Sequence, residues 1–277
     1  MSGLKRRSPL IRMLWSLFIG YGLLVLVVAV FQRRLIYFPT RIPENVATQI
    51  ATQNGFTPWR NPTGEIIGWR IAANGATVGS VLVTHGNAGS ALDRDYLALP
   101  IHDGLSLDVY VLDYPGYGAR SGAPSLKSFL AAGEEALGLL PKELPVYLVS
   151  ESIGAGVIAH LAGTHPERIK GMALFVPYHD LASVGQAAMP FLPVKLVMQD
   201  RFLPARWLEK YRGPVKVVLA GADEVIPTRF GQRLYDSYQG PKSLHLIPNA
   251  RHNEVAEQAP EWWQEVFAFW QQSGSAR

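Results

Sequence analysis

The stretch Val146-Tyr-Leu-Val-Ser-Glu-Ser152-Ile-Gly154-Ala-Gly156 is the most informative part of this sequence. Its apolar residues predict a buried strand, and the small residues after Ser152 predict a helix that begins directly behind a sharp turn. This is the pattern Gly-x-Ser-x-Gly with Ser150 in place of the first glycine. A strained turn of this kind makes the serine hydroxyl project, and its neighbours two positions away must be small because strand and helix cross there. The stretch therefore predicts that Ser152 is a nucleophile.

An acid and a histidine follow Ser152 in the order that a catalytic triad needs. Asp223 comes after the predicted buried strand 215–220, and His252 comes after the last predicted strand, 244–247. A serine hydroxyl is a weak nucleophile until an imidazole takes its proton, and a carboxylate fixes the tautomer of that imidazole. We therefore predict Ser152 as the nucleophile, Asp223 as the acid and His252 as the base.

The turn after another predicted strand, 78–84, has the sequence His85-Gly-Asn87-Ala-Gly89. Acyl transfer needs backbone N–H donors at the position that the tetrahedral oxygen will occupy. The natural donors are the N–H of Asn87 and the N–H of Ile153, the residue after the nucleophile. We predict that these two groups form the oxyanion hole and that His85 shapes the turn.

Each of these predicted roles has a competing interpretation. Asp180 follows an earlier predicted strand and could supply the carboxylate, and Glu224 is adjacent to Asp223. Asp223 itself could be a solvated loop acid or a helix cap, and Ser152 an ordinary serine at a strand end. Ser150 at the first glycine position is the one feature that favours a binding protein without catalytic activity on the same scaffold.

Five motifs together resemble the α/β-hydrolase superfamily over residues 37–270. In chain order they are His85-Gly-Asn-Ala-Gly, Asp113-Tyr-Pro-Gly-Tyr-Gly118, the turn at Ser152, Gly-Ala-Asp223-Glu-Val-Ile-Pro and His252-Asn. More narrowly, they are similar to the membrane-anchored serine hydrolases of the ABHD13, ABHD17 and BEM46 type and their bacterial relatives. The resemblance implies an α/β-hydrolase fold and the same triad and oxyanion roles.

Predicted strands and helices alternate along most of the chain, which indicates a mostly parallel central sheet with helices on both faces. The predicted strands are 65–71, 78–84, 107–112, 146–150, 172–176, 215–220 and 244–247, and the predicted helices are 91–102, 126–139, 152–163, 228–238 and 260–271. The predicted organisation is a basic tail 1–12, a transmembrane anchor 13–31, a juxtamembrane segment 32–54 and a hydrolase domain 55–272 with a lid insertion 178–213.

The insertion 178–213 is the one segment of the sequence long enough for a lid, and much of it is apolar. Met189, Phe191 and Leu192 are its predicted substrate-binding residues, as part of a hydrophobic surface for an acyl chain. Ordinary core packing of this segment is the alternative.

Residues 13–31 carry no charge and predict a single membrane-spanning helix. At the helical rise they span about 28 Å, close to the bilayer core of about 30 Å. Basic residues are more numerous before the span than directly after it, which favours a cytoplasmic N-terminus and a catalytic domain outside the inner membrane of a bacterium. Tyr37 and Phe38 are then predicted to lie at the membrane interface. A cleaved signal peptide, with a cleavage site near Ala29, is the alternative.

Charge and composition exclude several kinds of partner. Residues 1–41 hold seven basic and no acidic side chains, so the rest of the chain has 19 basic and 22 acidic residues. The globular part therefore has no basic excess for nucleic acid. The sequence has no cysteine, and its His, Asp and Glu residues lack metal-ligand spacing. We predict neither a metal nor a cofactor.

The combined prediction is a membrane-anchored serine hydrolase that cleaves carboxylic esters or thioesters through an acyl-enzyme. The apolar insertion and the anchor favour lipid-like or acylated substrates. An aminopeptidase-like amide hydrolase is the alternative within the same fold, since the fold does not select among these reactions. The sequence does not predict an oligomeric state.

Overall fold

The computed structural model of the protein describes residues 8–274, so residues 1–7 of the predicted basic tail lie outside it. Its helices are α1 (Pro9–Ile36), α2 (Glu44–Gln53), α3 (Asp95–Gly104), α4 (Leu126–Leu139), α5 (Gly154–Thr164), α6 (Leu181–Ala188), α7 (Val194–Val197), α8 (Pro204–Trp207), α9 (Arg229–Ser237) and α10 (Pro260–Gly274). Its strands are β1 (Phe38–Pro39), β2 (Thr57–Arg60), β3 (Ile66–Ile71), β4 (Ser80–Thr84), β5 (Ala88–Gly89), β6 (Asp108–Leu112), β7 (Val146–Glu151), β8 (Ile169–Phe175), β9 (Val215–Ala220) and β10 (Lys242–Ile247).

Eight of these strands form one sheet in the order β10–β9–β8–β7–β4–β6–β3–β2. Every neighbouring pair from β10 to β6 is parallel, and β3 is antiparallel to both β6 and β2. The remaining two strands, β1 and β5, pair separately with each other. The predicted mostly parallel central sheet is therefore confirmed.

Helices cover both faces of the sheet because the buried side chains of its strands alternate between two apolar clusters. In β4, Leu82 belongs to the cluster that includes residues of α4 and α5, while Val81 and Val83 belong to the cluster that includes residues of α3 and α10. A strand that is buried on both faces has an almost continuous apolar sequence. This explains why the central strands could be predicted from short apolar runs.

Strand β2 was absent from the sequence prediction. It contains Pro58 and lies at the edge of the sheet, antiparallel to β3. A proline is tolerated at an edge because its missing N–H need not reach a second neighbour. The pairing of β2, and not its own sequence pattern, makes it a strand.

Helix α1 contains the whole predicted span 13–31 and is longer at both ends. Pro9 stands at its first position, and the hydroxyl of Ser8 accepts the N–H of Ile11 at 3.3 Å. Within residues 8–274 it is the one helix that is long and apolar enough to cross a membrane, and its most apolar window is exposed. The membrane span and the domain boundaries remain predictions.

Tyr37 corrects the expectation of a residue at the membrane interface. Its side chain is 4% exposed and packs against the ring of Phe129, with 5.0 Å between ring centroids. Burial raises the pKa of the Tyr37 phenol, which donates to Asp200 Oδ2 at 3.1 Å. Phe38, by contrast, is 52% exposed. The chain thus enters the hydrolase core directly after α1 ends.

The predicted lid insertion divides into two parts. Helices α6 and α7 form a small cluster of their own through Ala182, Val194 and Met198. Helix α8 instead packs closely on α5, where a Cβ added to Gly163 would collide with the carbonyl of Trp207. The first part, called the lid below, keeps the predicted role of a lid, which remains a prediction, and the second part packs on the core.

Candidate active site

Ser152 lies at the turn between strand β7 and helix α5. Its φ is +53°, in the left-handed region that residues other than glycine rarely adopt. Its N–H donates to the carbonyl of Phe175 at 2.9 Å. Gly154 has no room for a side chain, because an added Cβ would lie 2.5 Å from the carbonyl oxygen of Thr84. The turn therefore has the strain and the small residue that the sequence pattern predicts.

Ser150, at the position of the first glycine in the pattern, is fully buried in β7. It pairs with Thr84 of β4 on one side and with Leu174 of β8 on the other. With serine at this position the sheet stays in register, and Ser152 keeps its left-handed conformation. The serine at position 150 therefore does not disturb the geometry of the turn, and the structure does not favour loss of catalysis on this ground.

The side chains of Ser152, His252 and Asp223 form one hydrogen-bonded chain. His252 Nε2 lies 3.2 Å from Ser152 Oγ, and His252 Nδ1 lies 2.8 Å from Asp223 Oδ2. The His252 and Asp223 side chains are 6% and 2% exposed. Asp223 follows β9 and His252 follows β10, so the parallel strands bring both to the same sheet edge as the end of β7. In the tautomer with its proton on Nδ1, His252 presents a free lone pair to the serine hydroxyl.

Asp223 is held in place by its own loop. Its Oδ1 accepts the N–H of Val225 at 2.9 Å and the N–H of Ile226 at 2.7 Å. These bonds stabilise the charged carboxylate and fix its orientation toward His252. The loop therefore aims the acid before any substrate is bound.

The two competing acids have other contacts. Asp180 caps helix α6, where its oxygens accept the N–H of Ala182 at 3.0 Å and of Ser183 at 3.1 Å. Glu224 accepts the backbone N–H of His252 at 3.4 Å and does not contact the imidazole ring. Neither carboxylate therefore occupies the position of Asp223.

Asn87 and Ile153 line the same cavity as Ser152. The Asn87 carbonyl accepts the N–H of Phe38 at 2.9 Å and the Tyr117 hydroxyl at 2.8 Å, and its side-chain amide donates to the carbonyl of Ile36 at 2.9 Å. No hydrogen bond between residues 8–274 uses the backbone N–H of Asn87 or of Ile153. Both predicted oxyanion donors are thus available beside the nucleophile.

His85 lies inside the turn that carries Asn87. The ring is fully buried, its Nδ1 lies 2.7 Å from the carbonyl of Gly86, and it contacts the ring of Tyr114 at 4.4 Å between centroids. Burial and the nearby Arg94 guanidinium lower the pKa of His85 to about 3. His85 is therefore a neutral structural residue at the pH of most cells.

The stability of this turn is expected to depend on pH through His85. The unfolded chain binds a proton at the ordinary pKa of 6.5, whereas the folded chain does not until about pH 3. The free energy of unfolding should therefore fall as the pH is lowered from 6.5, by up to about 1.4 kcal/mol per pH unit. Denaturant unfolding of the wild type and of His85→Gln at pH 7 and pH 5 measures this, and the variant should lose less stability. Equal losses would contradict the assignment.

Glu151 is a residue of this site that the sequence analysis missed. It is buried directly before Ser152. Its carboxylate pairs with Arg94 Nε at 2.8 Å and accepts the hydroxyl of Tyr96 at 3.0 Å. An ionisable residue at the end of an apolar strand is the signal that could have indicated it, because such a residue is buried only when it is paired.

Asp113, from the second motif of the resemblance, has a structural role outside the triad. Burial raises the pKa of its carboxyl to about 6. Its oxygens accept the indole N–H of Trp69 at 3.1 Å and the N–H of Ala91 at 2.8 Å. It therefore joins strand β3 to the segment that follows the Asn87 turn.

A cavity of about 200 Å³ extends from Ser152 between α1 and the lid. None of its lining residues is charged, and most are aliphatic. Met189, one of the three predicted substrate-binding residues, lines this cavity. Phe191 and Leu192 do not, because the lid turns back at this point through a hydrogen bond from the Leu192 N–H to the Met189 carbonyl at 3.1 Å. Phe191 projects outward and is 87% exposed, and Leu192 packs within the lid.

The structure also bears on the question of metal binding. Within residues 8–274, no group of three or more His, Cys, Asp or Glu side chains is arranged so that it could hold a metal ion.

Comparisons with known sequences agree with this fold. A family model described as the alpha/beta hydrolase fold matches residues 79–225, which include Ser152 and Asp223 but not His252. An uncharacterized protein of Mycobacterium tuberculosis is 31% identical over 230 residues, covering 80% of this chain and 81% of that protein. The human alpha/beta hydrolase domain-containing protein 17B is 27% identical over 183 residues, covering 64% of this chain and 61% of the human protein.

Among solved structures, an esterase of Pyrococcus furiosus is similar to this chain with a TM-score of 0.61 and 19% sequence identity. The similarity covers 85% of this chain and 98% of the esterase. At this level of identity the likeness concerns the fold.

Proposed function

Because the chain belongs to the α/β-hydrolase family, we propose that it is a serine hydrolase that cleaves carboxylic esters or thioesters through an acyl-enzyme on Ser152. The observation that supports this most directly is the contact between His252 and both other members of the triad, at 3.2 Å to Ser152 and 2.8 Å to Asp223. The same three residue types form the proton relay of serine hydrolases on unrelated folds.

In the first half of the reaction, His252 Nε2 takes the proton of Ser152 as Oγ attacks the carbonyl carbon of the substrate. The tetrahedral oxygen accepts hydrogen bonds from the N–H groups of Asn87 and Ile153. Each such bond stabilises the transition state by about 3 kcal/mol in a site that excludes water. Collapse of this intermediate breaks the bond to the alcohol or thiol, which receives the proton from His252. The product of this half is Ser152 esterified by the acyl group.

In the second half, water replaces the alcohol or thiol. His252 takes a proton from the water as its oxygen attacks the acyl carbon, and the same two N–H groups stabilise the oxyanion. Collapse then returns the proton to Ser152 Oγ and releases the carboxylic acid. Asp223 stays ionised throughout and stabilises the imidazolium in both halves.

The proposed substrates are lipid-like or acylated molecules. Uncharged, mostly aliphatic walls of the cavity favour an acyl chain over a charged group. The apolar helix α1 supports attachment to a membrane through residues 13–31. The excess of basic residues before this span supports a cytoplasmic N-terminus and a hydrolase domain outside a bacterial inner membrane.

A fluorophosphonate probe tests the proposal on the full chain in detergent. We expect covalent labelling of the wild type, none of Ser152→Ala, and unchanged labelling of the matched control Ser150→Ala. The control serine lies two residues away but is buried in the strand. A wild type that is not labelled would favour a binding protein without catalysis, whereas a Ser152→Ala variant that is labelled as strongly would show that another residue is the nucleophile.

A further inference from the structure

Helix α1 lies against the catalytic site with one of its faces. Val28, Gln32 and Ile36, spaced four residues apart, line the cavity that contains Ser152. Residues at this spacing lie on one side of a helix, and these three extend over about 12 Å of its length. Val30, on the opposite side, is 62% exposed. The predicted anchor is therefore also a wall of the cavity.

The C-terminal end of α1 is tied to the turn that carries the predicted oxyanion donor. The Asn87 side-chain amide donates to the carbonyl of Ile36 at 2.9 Å, and the N–H of Phe38 donates to the Asn87 carbonyl at 2.9 Å. The short pairing of β1 with β5 continues this connection. Hydrogen bonds to Asn87, in the turn after β4, thus set the position of α1 relative to the catalytic groups.

The same helix is joined to the lid by polar contacts. Gln32, which is only 6% exposed, donates to the Val197 carbonyl at 3.2 Å and accepts the N–H of Gln199 at 2.7 Å. The next residue, Arg33, pairs through its Nε with Asp200 at 3.0 Å. A buried side-chain amide is costly unless it is hydrogen-bonded, and here the lid provides hydrogen bonds to Gln32. Helix α1 and the lid therefore form two walls of the same cavity.

Contacts near the middle of α1 indicate how far the lid extends along this helix. The Tyr21 hydroxyl donates to the Phe191 carbonyl at 2.8 Å, and Tyr21 lies within the predicted membrane span. The lid side chains Phe191 and Leu196 are 87% and 80% exposed. Large apolar side chains exposed beside a membrane helix are suited to contact with lipid. The lid would then lie within the leaflet that surrounds the anchor.

From these contacts we propose that α1 supplies one wall of an acyl-chain site and that Val28 limits the length of the chain. The chain would extend from Ser152 along Ile36 and Gln32 toward Val28, with lid residues such as Val184 and Val194 opposite. The ligand is the acyl chain of an ester or thioester that resides in the membrane. This inference rests on the proposed serine hydrolase function, and it makes the anchor a determinant of specificity.

Substitution of Val28 tests the proposal in the full chain in detergent. The measurement is kcat/KM for p-nitrophenyl acetate and for p-nitrophenyl dodecanoate. Val28→Trp should lower the dodecanoate-to-acetate ratio by roughly 10- to 100-fold, because a bulky side chain closes the far end of the site. Val30→Trp, the same change on the exposed side of the helix, should leave the ratio unchanged.

A second substitution guards against a misfolded tryptophan variant. Val28→Ala removes volume, should keep acetate hydrolysis, and should raise the dodecanoate-to-acetate ratio. Suppose that the wild type hydrolyses both esters and that every Val28 variant active on acetate has the same dodecanoate-to-acetate ratio as the wild type. The acyl-site inference is then wrong, while the proposed function stands. A wild type that hydrolyses neither ester and does not react with the fluorophosphonate would instead overturn the proposed function.

Discussion

Replacement of Ser152 by alanine is expected to lower kcat for ester hydrolysis by roughly 10⁶. In the proposed mechanism the hydroxyl oxygen forms the bond to the acyl group, and within residues 8–274 it is the one protein group that is hydrogen-bonded to His252 Nε2. His252→Ala should cost about as much, because the hydroxyl then keeps its proton. The double variant should be no worse than either single one, since the residues act as a unit.

Turnover of a p-nitrophenyl ester by purified full-length variants is the measurement for this prediction. Ser150→Ala serves as the control, because it removes a hydroxyl from the same strand without touching the relay. Ser152→Ala turnover within an order of magnitude of the wild type would mean that another nucleophile is used. A large loss in the control would point instead to disruption of the strand.

Asp223→Asn should lower kcat by roughly 10⁴. An asparagine can still accept the N–H groups of Val225 and Ile226 with its oxygen, so the loop should keep its shape. Its amide then faces Nδ1 of His252 with N–H donors. This favours the tautomer in which Nε2 carries the proton and cannot accept the serine proton.

The controls for Asp223 are the two carboxylates that compete with it in the sequence. Asp180→Asn should leave kcat close to that of the wild type, because Asp180 caps a helix of the lid. Glu224→Gln should also have a small effect, since its contact is with the backbone of His252. Full activity of Asp223→Asn combined with a large loss in either control would move the acid to that residue.

How far the candidate site could be predicted depended on how local each feature is. The turn at Ser152 is specified by residues within a few positions, because the strain at the serine and the crossing at Gly154 both arise there. The contact of Asp223 with His252 spans 29 residues and that of His252 with Ser152 spans 100. Those contacts could be anticipated because loops at the C-terminal ends of parallel strands meet at one edge.

Other features could not be predicted because their environment is formed by distant parts of the chain. Tyr37 follows an apolar span and has the aromatic ring typical of a membrane interface, yet Asp200 and Phe129 bury it. Met189 and Phe191 are equally apolar and two residues apart, and only a backbone turn sends one into the cavity and the other outward. Local composition does not distinguish such pairs.

The central strands, the strained serine turn and the apolar first helix could all be read from the sequence, because each arises from periodicity and steric limits between near neighbours. The surroundings of the first helix, by contrast, are formed by parts of the chain far from it in sequence. Its sequence predicts an anchor, whereas its packing puts Val28 and Gln32 on the cavity wall and ties Ile36 to Asn87. An apolar face has no intrinsic partner, so whether it meets lipid, a lid or a substrate is decided by what the rest of the chain brings against it.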